Sequence, residues 1–527
     1  MPSSFFDVLL AAAPPLVVLI LMVGFRWGGS KAGPAGWLVA LVIAALRFAA
    51  GPDVLFYAHI RALVLTIDVV FIVWMALALY FVVREAGALE VIAAWFMSLT
   101  GDDVLRVLLL GWVFTSFLQG VGGFGVPVAV VAPLLVGLGL TPLAAVVVPS
   151  IGHAWAVTFG SLGSSFIALL GVTGIEADLV AGPTAVLLGA AALACGFLAG
   201  YSYGGWRGAR RALPAIALIG VVMAVGQYLL ATNGLWNIAA AGGSLAGLAV
   251  GLWVTRWPLY RRAVAPAGDL PLPPTGPEPD HKRPSFPLAI AGYVILVVLA
   301  VTLIGIAPIK TFLSQVQPAV YIPEVQTGLG WVTPETEALG IPILAHTGSI
   351  LFYSAIITFF LFRSRGYLQA GAARTSVINV RKKGLNPAIG ILSMVAMATI
   401  MANAGMTRTL AEWLAGAVPA NLYAFVATAI GALGAFMTGS NTNSNAVFAA
   451  LQQDTALLLG ISVPLVLATQ TASAAIASLL APAKIIVGAS TVGMSGDEGT
   501  VLRNLLLYGG ILLLLIAVLS FVLLNFA

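Results

Sequence analysis

Charge is scarce in this sequence. Asp, Glu, Lys and Arg make up 8% of the 527 residues, while 60% are hydrophobic. A soluble globular domain carries about 25% charged residues, so the chain is read as an integral membrane protein. Cysteine is nearly absent as well. The single cysteine, Cys195, excludes intrachain disulfides and a cysteine-held metal cluster. The four histidines (His59, His153, His281 and His346) are widely separated, and neither an HExxH nor a GxSxG motif occurs. An enzyme is therefore not expected, nor is a cofactor. The N-terminal MPSSFFDVLLAAAPP lacks the basic region of a cleavable signal peptide and is read as part of the first span. The net charge of +5 is assigned to basic cytoplasmic loops rather than to nucleic-acid binding.

What the chain has in abundance is long apolar runs. PPLVVLILMVGF (Pro14–Phe25), LVAGPTAVLLGAAALACGFLAGY (Leu179–Tyr201) and LLLYGGILLLLIAVLSFVLLNF (Leu505–Phe526) suit helices of about 20 residues per span, and roughly 12–14 such segments fit the sequence. Outer-membrane strands would give shorter, alternating signals. An all-α polytopic protein of the bacterial inner membrane is expected.

Lysine and arginine fix an expected orientation. More than half of them lie in three stretches: 201–212 (Arg207, Arg210, Arg211), 256–287 (Arg256, Arg261, Arg262, Lys282, Arg283) and 363–383 (Arg363, Arg365, Arg374, Arg381, Lys382, Lys383). The positive-inside rule places all three in the cytoplasm. Arg26 and Lys31 put the first short loop inside, so the N-terminus faces out, as does the acidic segment Ala307–Gly340. The run APAGDLPLPPTGPEPDHKRP within the second stretch reads as a proline-rich linker.

A repeat runs through this pattern. REAGALEVIAAWF (Arg84–Phe96) aligns with ANAGMTRTLAEWL (Ala402–Leu414), FLQG (Phe117–Gly120) with FMTG (Phe436–Gly439), and TPLAAVVVPS (Thr141–Ser150) with VPLVLATQTA (Val463–Ala472), all at a nearly constant offset. The expected directions of the flanking spans oppose each other, so the two copies are inverted in the membrane. The division is an N-terminal span (1–32), a first repeat (33–200), linking spans (201–340) and a second repeat (341–527).

Each copy contains a helix breaker. In FLQGVGGFGVPVAVV (Phe117–Val131), Gly120, Gly122, Gly123 and Gly125 precede Pro127; the break is set at 117–127. In FMTGSNTNSNAVFAALQQ, Ser440, Asn441, Thr442, Asn443, Ser444 and Asn445 form a polar run, with the break at 436–446. Irregular backbone at membrane depth is tolerated where it lines a protein-enclosed cavity. Paired interruptions in inverted repeats mark the binding site of secondary transporters. Freed N–H groups and half-helix N-termini favour a carboxylate. Side-chain oxygens of Ser440, Asn441 and Thr442 also suit a sodium ion.

Beside each breaker lies a second polar patch, Ser150–Ser165 in one copy and Ala468–Lys484 in the other. It contributes His153, Ser161 and Ser164, and then Gln470, Thr471 and Lys484. His153 is either a proton carrier or a neutral histidine held within the bundle. Lys484 either pairs with a substrate carboxylate or snorkels to a membrane surface. Asp68, in LTIDVVFIVW, either relays a proton or lies near the outer end of its span; Asp454 is a weaker candidate of the same kind.

FLQGVGGFGVPVAVVAPLLVGLGLTPLAA, HAWAVTFGSLG and FMTGSNTNSNAVFAALQ, with LTGDDVLRVLLLGWVF and VGMSGDEGTVLRNLLLYG, resemble the lactate permease family of bacterial transporters from about Leu63 to Gly510. The resemblance implies import of lactate or glycolate with protons, through inverted repeats with hairpin-tipped broken helices. Ser440-Asn441-Thr442 also looks like the hairpin-tip motif of sodium–dicarboxylate symporters. The family pattern has a glutamate where this chain has Gln119, an asparagine at His153 and a small polar residue at Lys484. The site is thereby more positive, which fits either a more highly charged anion (a dicarboxylate or sulfonate) or a relocated proton site at His153 or Asp68. The expected partners are a small organic anion, protons or sodium, and membrane lipid, with no nucleic acid; a homodimer is left open, and an anion channel is the remote alternative.

Overall fold

The computed structural model describes residues 4–25, 27–123, 125–261, 282–303, 306–494 and 497–526. Arg26 and most of the proline-rich linker lie outside these residues. Apolar, charge-poor sequence folds here almost wholly into helices, which satisfy their own backbone where water is absent.

Helices α1 (Phe5–Val23) and α2 (Gly29–Leu46) pack as an N-terminal pair. A first succession follows: α3 (Pro52–Glu85), α4 (Ala88–Met97), α5 (Asp103–Leu108), α6 (Thr115–Val121), α7 (Val126–Gly137), α8 (Pro142–Gly152), α9 (Ser164–Thr173) and α10 (Ala177–Thr232). A π-helical stretch, Leu109–Phe114, joins α5 to α6 in one buried span. Linking elements are α11 (Ala239–Val254), α12 (Phe286–Ala289), α13 (Ala291–Leu303) and α14 (Ala307–Ser314). Strands β1 (Ala319–Ile322), β2 (Val325–Gln326), β3 (Val332–Thr333) and β4 (Thr336–Gly340) precede α15 (Thr347–Ser364). The second succession is α16 (Ala372–Asn403), α17 (Met406–Ala417), α18 (Tyr423–Thr438), α19 (Asn441–Leu459), α20 (Val463–Ala477), α21 (Pro482–Thr491) and α22 (Glu498–Phe526).

Eleven described helices are long and apolar enough to cross a membrane, or up to 13 if each bent pair is one span. The 56-residue α10 is itself a hairpin: its backbone leaves helical geometry at Gly204 and Gly205, and Gly189 faces Ala224 while Gly200 faces Ala212. The basic stretch 201–212 is therefore a tight helical turn rather than an open loop. Most of 363–383 likewise belongs to α16, whose first turns carry Arg374 and Arg381–Lys383. Among the described residues the four strands are the one departure from an all-α chain. They pair antiparallel as β1 with β4 and β2 with β3.

The same order of elements occurs twice. A long helix (α3, α16) ends in alanine; a glycine in left-handed conformation follows (Gly87, φ 65°; Gly405, φ 79°) and a shorter helix begins. A side chain at either glycine would be strained. The two long helices run antiparallel: Trp74 Nε1 donates to Gly384 O at 3.2 Å, while the β2–β3 hairpin joins the start of α3 to the end of α16. There Gly328 N donates to Ala49 O at 2.8 Å and Trp331 Nε1 to Ala402 O at 3.0 Å.

The described parts of the three basic stretches gather at the opposite end, where α3 terminates. Arg211 Nε and Nη2 donate to Asp102 Oδ2 at 2.9 and 2.6 Å, Tyr260 OH to Arg211 O at 2.6 Å, and Thr100 Oγ1 to Tyr260 O at 2.8 Å. Trp95 of α4 stacks on Phe286 at 4.0 Å. Asp102 is buried, so Arg211→Ala leaves a carboxylate without its main partner. The expected cost is about 3 kcal/mol, read as a lowered unfolding midpoint of the purified protein in mixed micelles.

Candidate functional site

The helix interruptions are shorter than the stretches 117–127 and 436–446. The first runs Gly122–Gly125 between α6 and α7. Gly125 is left-handed (φ 82°) and Pro127 sits in the first turn of α7, where its missing N–H costs nothing. The second is only Gly439 (φ 71°) and Ser440. The polar run after it is not a loop: Asn441–Asn445 form the opening turns of α19, with Ser440 as N-cap. Ser and Asn are preferred at such positions because their side chains serve the orphan N–H groups.

Helical spacing then sorts the run by face. Asn441 and Asn445 share a face with Thr442 near the turn between α8 and α9. Asn441 Nδ2 donates to Thr158 Oγ1 at 3.0 Å, and Asn445 Nδ2 to Ser165 O and to Thr471 Oγ1, both at 2.8 Å. Ser165 and Thr442 hydroxyls meet at 3.0 Å, and those of Thr158 and Thr471 at 3.2 Å. The start of α9 thus faces the start of α19. All of these residues are buried. The Oδ1 atoms of Asn441 and Asn445 accept no hydrogen bond among the described residues.

Asn443 points elsewhere, with its Nδ2 towards Gly29 at the start of α2. Gln470 is consumed by structure. Its Nε2 donates to Ser444 Oγ at 3.1 Å, and its Oε1 accepts from Gln452 Nε2 at 3.0 Å. Gln452 Oε1 accepts from Tyr423 OH at 2.7 Å. This ladder ties α18, α19 and α20 together and leaves Gln470 no free donor for a ligand.

At the first break the residues also divide. Gly120 is a packing position, since a Cβ there would lie 2.6 Å from the Ala241 nitrogen of α11. Gly123 and Gly160 leave room for the Gln119 amide: their Cβ atoms would stand 3.2 and 2.9 Å from its Nε2. Gln119 Oε1 has no partner among the described residues. Helix α21 spans from one break to the other. A Cβ on Gly439 would lie 3.7 Å from Ala481, and one on Gly125 3.8 Å from Val487. Lys484 lies on α21 between those contacts, half-buried, with Nζ donating to Ser478 Oγ at 3.0 Å. No carboxylate lies within salt-bridge distance of it among the described residues.

His153 ends α8. Its Nδ1–H donates to Pro149 O at 2.6 Å, leaving Nε2 without a partner among the described residues, and Lys484 is its charged neighbour. Asp68 has different surroundings, on α3 against His346 at the start of α15. No local sequence signal joins His346 to Asp68, which lies 278 positions away. Asp454 on α19 has Arg408 as its charged neighbour. A cavity of about 210 Å³ opens between α3, α7 and α21, lined by Tyr80, Arg84, Glu90 and Thr491 among others. Tyr80 also lines a small recess against Gly122.

The family model described as L-lactate permease matches residues 7–526. The chain belongs to this family. The match extends beyond the stretch from Leu63 to Gly510 and takes in the N-terminal pair and the whole of α22. Among similar proteins, the glycolate permease GlcA of Escherichia coli K12 is 28% identical over 519 residues, covering 94% of this chain and 91% of that one. The L-lactate permease of the same strain is 28% identical over 531 residues, covering 94% and 92%. The L-lactate permease of Bacillus subtilis 168 is 27% identical over 544 residues, covering 97% and 95%. Among solved structures, the Alcanivorax borkumensis YdaH transporter aligns at a TM-score of 0.45 and 16% identity over 98% of this chain and 97% of its own. This member of the lactate permease family is thus a multi-pass membrane protein.

The two glycine roles separate experimentally. Gly120→Ala should cost about 1–3 kcal/mol by overpacking. Gly122→Ala, whose Cβ would meet only Leu118 O at 3.5 Å, should leave the thermal unfolding midpoint nearly unchanged.

Proposed function

We propose that this chain imports a small 2-hydroxy carboxylate of the lactate and glycolate type across the bacterial inner membrane, together with protons. The observation that carries the reading is Lys484. It is a cation on the helix spanning both breaks, hydrogen-bonded to Ser478 and free of any carboxylate partner among the described residues. A substrate carboxylate fits that position, and the facing starts of α9 and α19 add partial positive charge. The relatives' names, lactate and glycolate permease, support the substrate class.

The antiparallel α3 and α16, heading matching successions of elements, support two inverted repeats. The three basic stretches at one end of the bundle support a cytoplasmic assignment for that end, with the strands outside. The coupling proton neutralises the anion, whose charge otherwise opposes entry at about 2.3 kcal/mol per 100 mV. A second reading has an observation of its own: the unpartnered Oδ1 atoms of Asn441 and Asn445 suit a hard cation, so sodium is the alternative coupling ion. A dicarboxylate or sulfonate is the alternative cargo, favoured by Lys484 together with the uncharged Gln119.

Uptake into proteoliposomes separates these readings. An imposed inward pH gradient should drive accumulation of labelled lactate or glycolate, and a sodium gradient should not; the reverse result favours sodium, and uncoupled conductance would sink the transporter. Lys484→Gln should raise apparent KM about 10- to 100-fold, the loss of a charge-assisted hydrogen bond of roughly 1.5–3 kcal/mol. An unchanged KM would assign Lys484 to membrane-surface snorkelling.

A further inference from the structure

Asp68 and His346 make a hydrogen-bonded acid–imidazole pair within the bundle, outside the site at the breaks. The direction of the contact follows from the other ring nitrogen. His346 is the N-cap of α15, and its Nδ1 accepts from Gly348 N at 3.1 Å. The ring proton therefore sits on Nε2 and is donated to Asp68 Oδ1. Phe71 stacks on the imidazole at 5.3 Å, fixing its plane. His346 is 5% exposed at its side chain while Asp68 is 26% exposed, so the carboxylate is the more accessible member of the pair.

The pair is joined to the breaks by a series of hydrogen bonds and packing contacts. Thr347, next to His346, accepts at Oγ1 from Asn237 Nδ2 at 3.5 Å, and Asn237 Oδ1 is buried without a partner among the described residues. Asn237 lies against the turn before α9: a Cβ on Gly163 would stand 3.2 Å from the Asn237 Cα. In that turn Ser161 and Leu162 hold positive φ of 47° and 53°, a costly conformation that persists only where its surroundings impose it. Immediately beyond it, Ser165 meets Thr442. A buried chain of contacts thus runs from the pair to the first turn of α19.

We propose that Asp68 and His346 form the proton-binding pair of the transport cycle, connected to the substrate site through Thr347, Asn237 and the strained Ser161–Leu162 turn. The pair carries one negative charge when Asp68 accepts from a neutral His346. Binding one proton makes the pair neutral overall and, at the carboxylate or at Nδ1, disturbs the hydrogen bonds that hold the imidazole as the cap of α15.

Few other charges face the pair. On α3 the same helix face carries Arg61, whose Nη2 donates to Thr336 Oγ1 at 2.7 Å. α15 has Tyr353 and, at its far end, Arg363; α13, packed on α15, has Tyr293; α9 has no charged residue; α16 carries its cations at the end away from the hairpin. α4, packed at the other end of α3, has Glu90.

The proposal rests on the proton-coupled reading above, and the test separates the two. Wild-type proteoliposomes are assayed for pH-gradient-driven accumulation of labelled L-lactate and glycolate and for counterflow exchange without a gradient. One coupled proton gives about tenfold accumulation per pH unit. Asp68→Asn should lose that tenfold while keeping counterflow within about twofold, and Asp68→Glu should restore driven accumulation. Retained accumulation in Asp68→Asn overturns the proposal. So does joint loss of accumulation and counterflow in a variant that melts like wild type, which marks the pair as structural. Should Asp68→Asn not fold, His346→Ala is expected to shift the pH of half-maximal uptake, and an unmoved profile overturns the pairing. A wild type that exchanges but ignores the pH gradient overturns proton coupling and the pair together. A wild type that exchanges neither anion overturns the substrate reading and this proposal with it.

Discussion

Hydrocarbon offers no partner for a backbone amide, and that single constraint organises this molecule. An unsatisfied N–H or C=O at membrane depth costs several kcal/mol, so each interrupted helix must find its partners within the protein. The breaks at Gly122–Gly125 and Gly439–Ser440 therefore lie inside the bundle, and α21 reaches from one to the other. The same need explains the polar side chains around Thr158, Ser165, Asn441, Asn445 and Thr471, which hydrogen-bond across the two halves. A polar cluster of this kind in an apolar bundle is stable only when its members satisfy one another.

The cluster is nonetheless incomplete. Among the described residues, Oδ1 of Asn441 and Asn445 in the cluster and Oε1 of Gln119 at the first break accept no hydrogen bond, and Lys484 Nζ on α21 donates to Ser478 Oγ alone. Such a site suits a ligand that carries both a carboxylate and a hydroxyl, since one group can take a donor while the other gives a proton. Gln470 shows the contrast, because its donors and acceptor are all engaged by α18–α20. The cavity bordered by Arg84 and Glu90 lies at the end where the basic stretches gather.

Much of the fold was legible in the sequence because apolar length and glycine–proline punctuation are local signals. The spans, an interruption in each of the two segments and the helix start at Pro127 could be read from short windows, whereas the left-handed turns at Gly87 and Gly405 appear in the sequence only as aligned positions. The polar run Ser440–Asn445 opens a helix rather than forming a turn, a choice the sequence leaves undecided because the same residue types favour loops and helix N-termini alike. Which asparagines face the site follows only from helical phase, so Asn443 was grouped with Asn441 and Asn445 although it faces Gly29. The Asp68–His346 contact and the strands over α3 and α16 depend on distant packing. Valine- and threonine-bearing segments interrupted by proline gave no strong periodicity there.

The central claim is that the two breaks share one anion site served by Lys484. A structure of the purified protein with bound L-lactate or glycolate tests it most directly. Density between Lys484 and the Asn441–Asn445 turn, with the carboxylate towards Nζ, is the result expected. Density confined to the cavity beside Arg84, with no contact to Lys484 or Asn441, would contradict it.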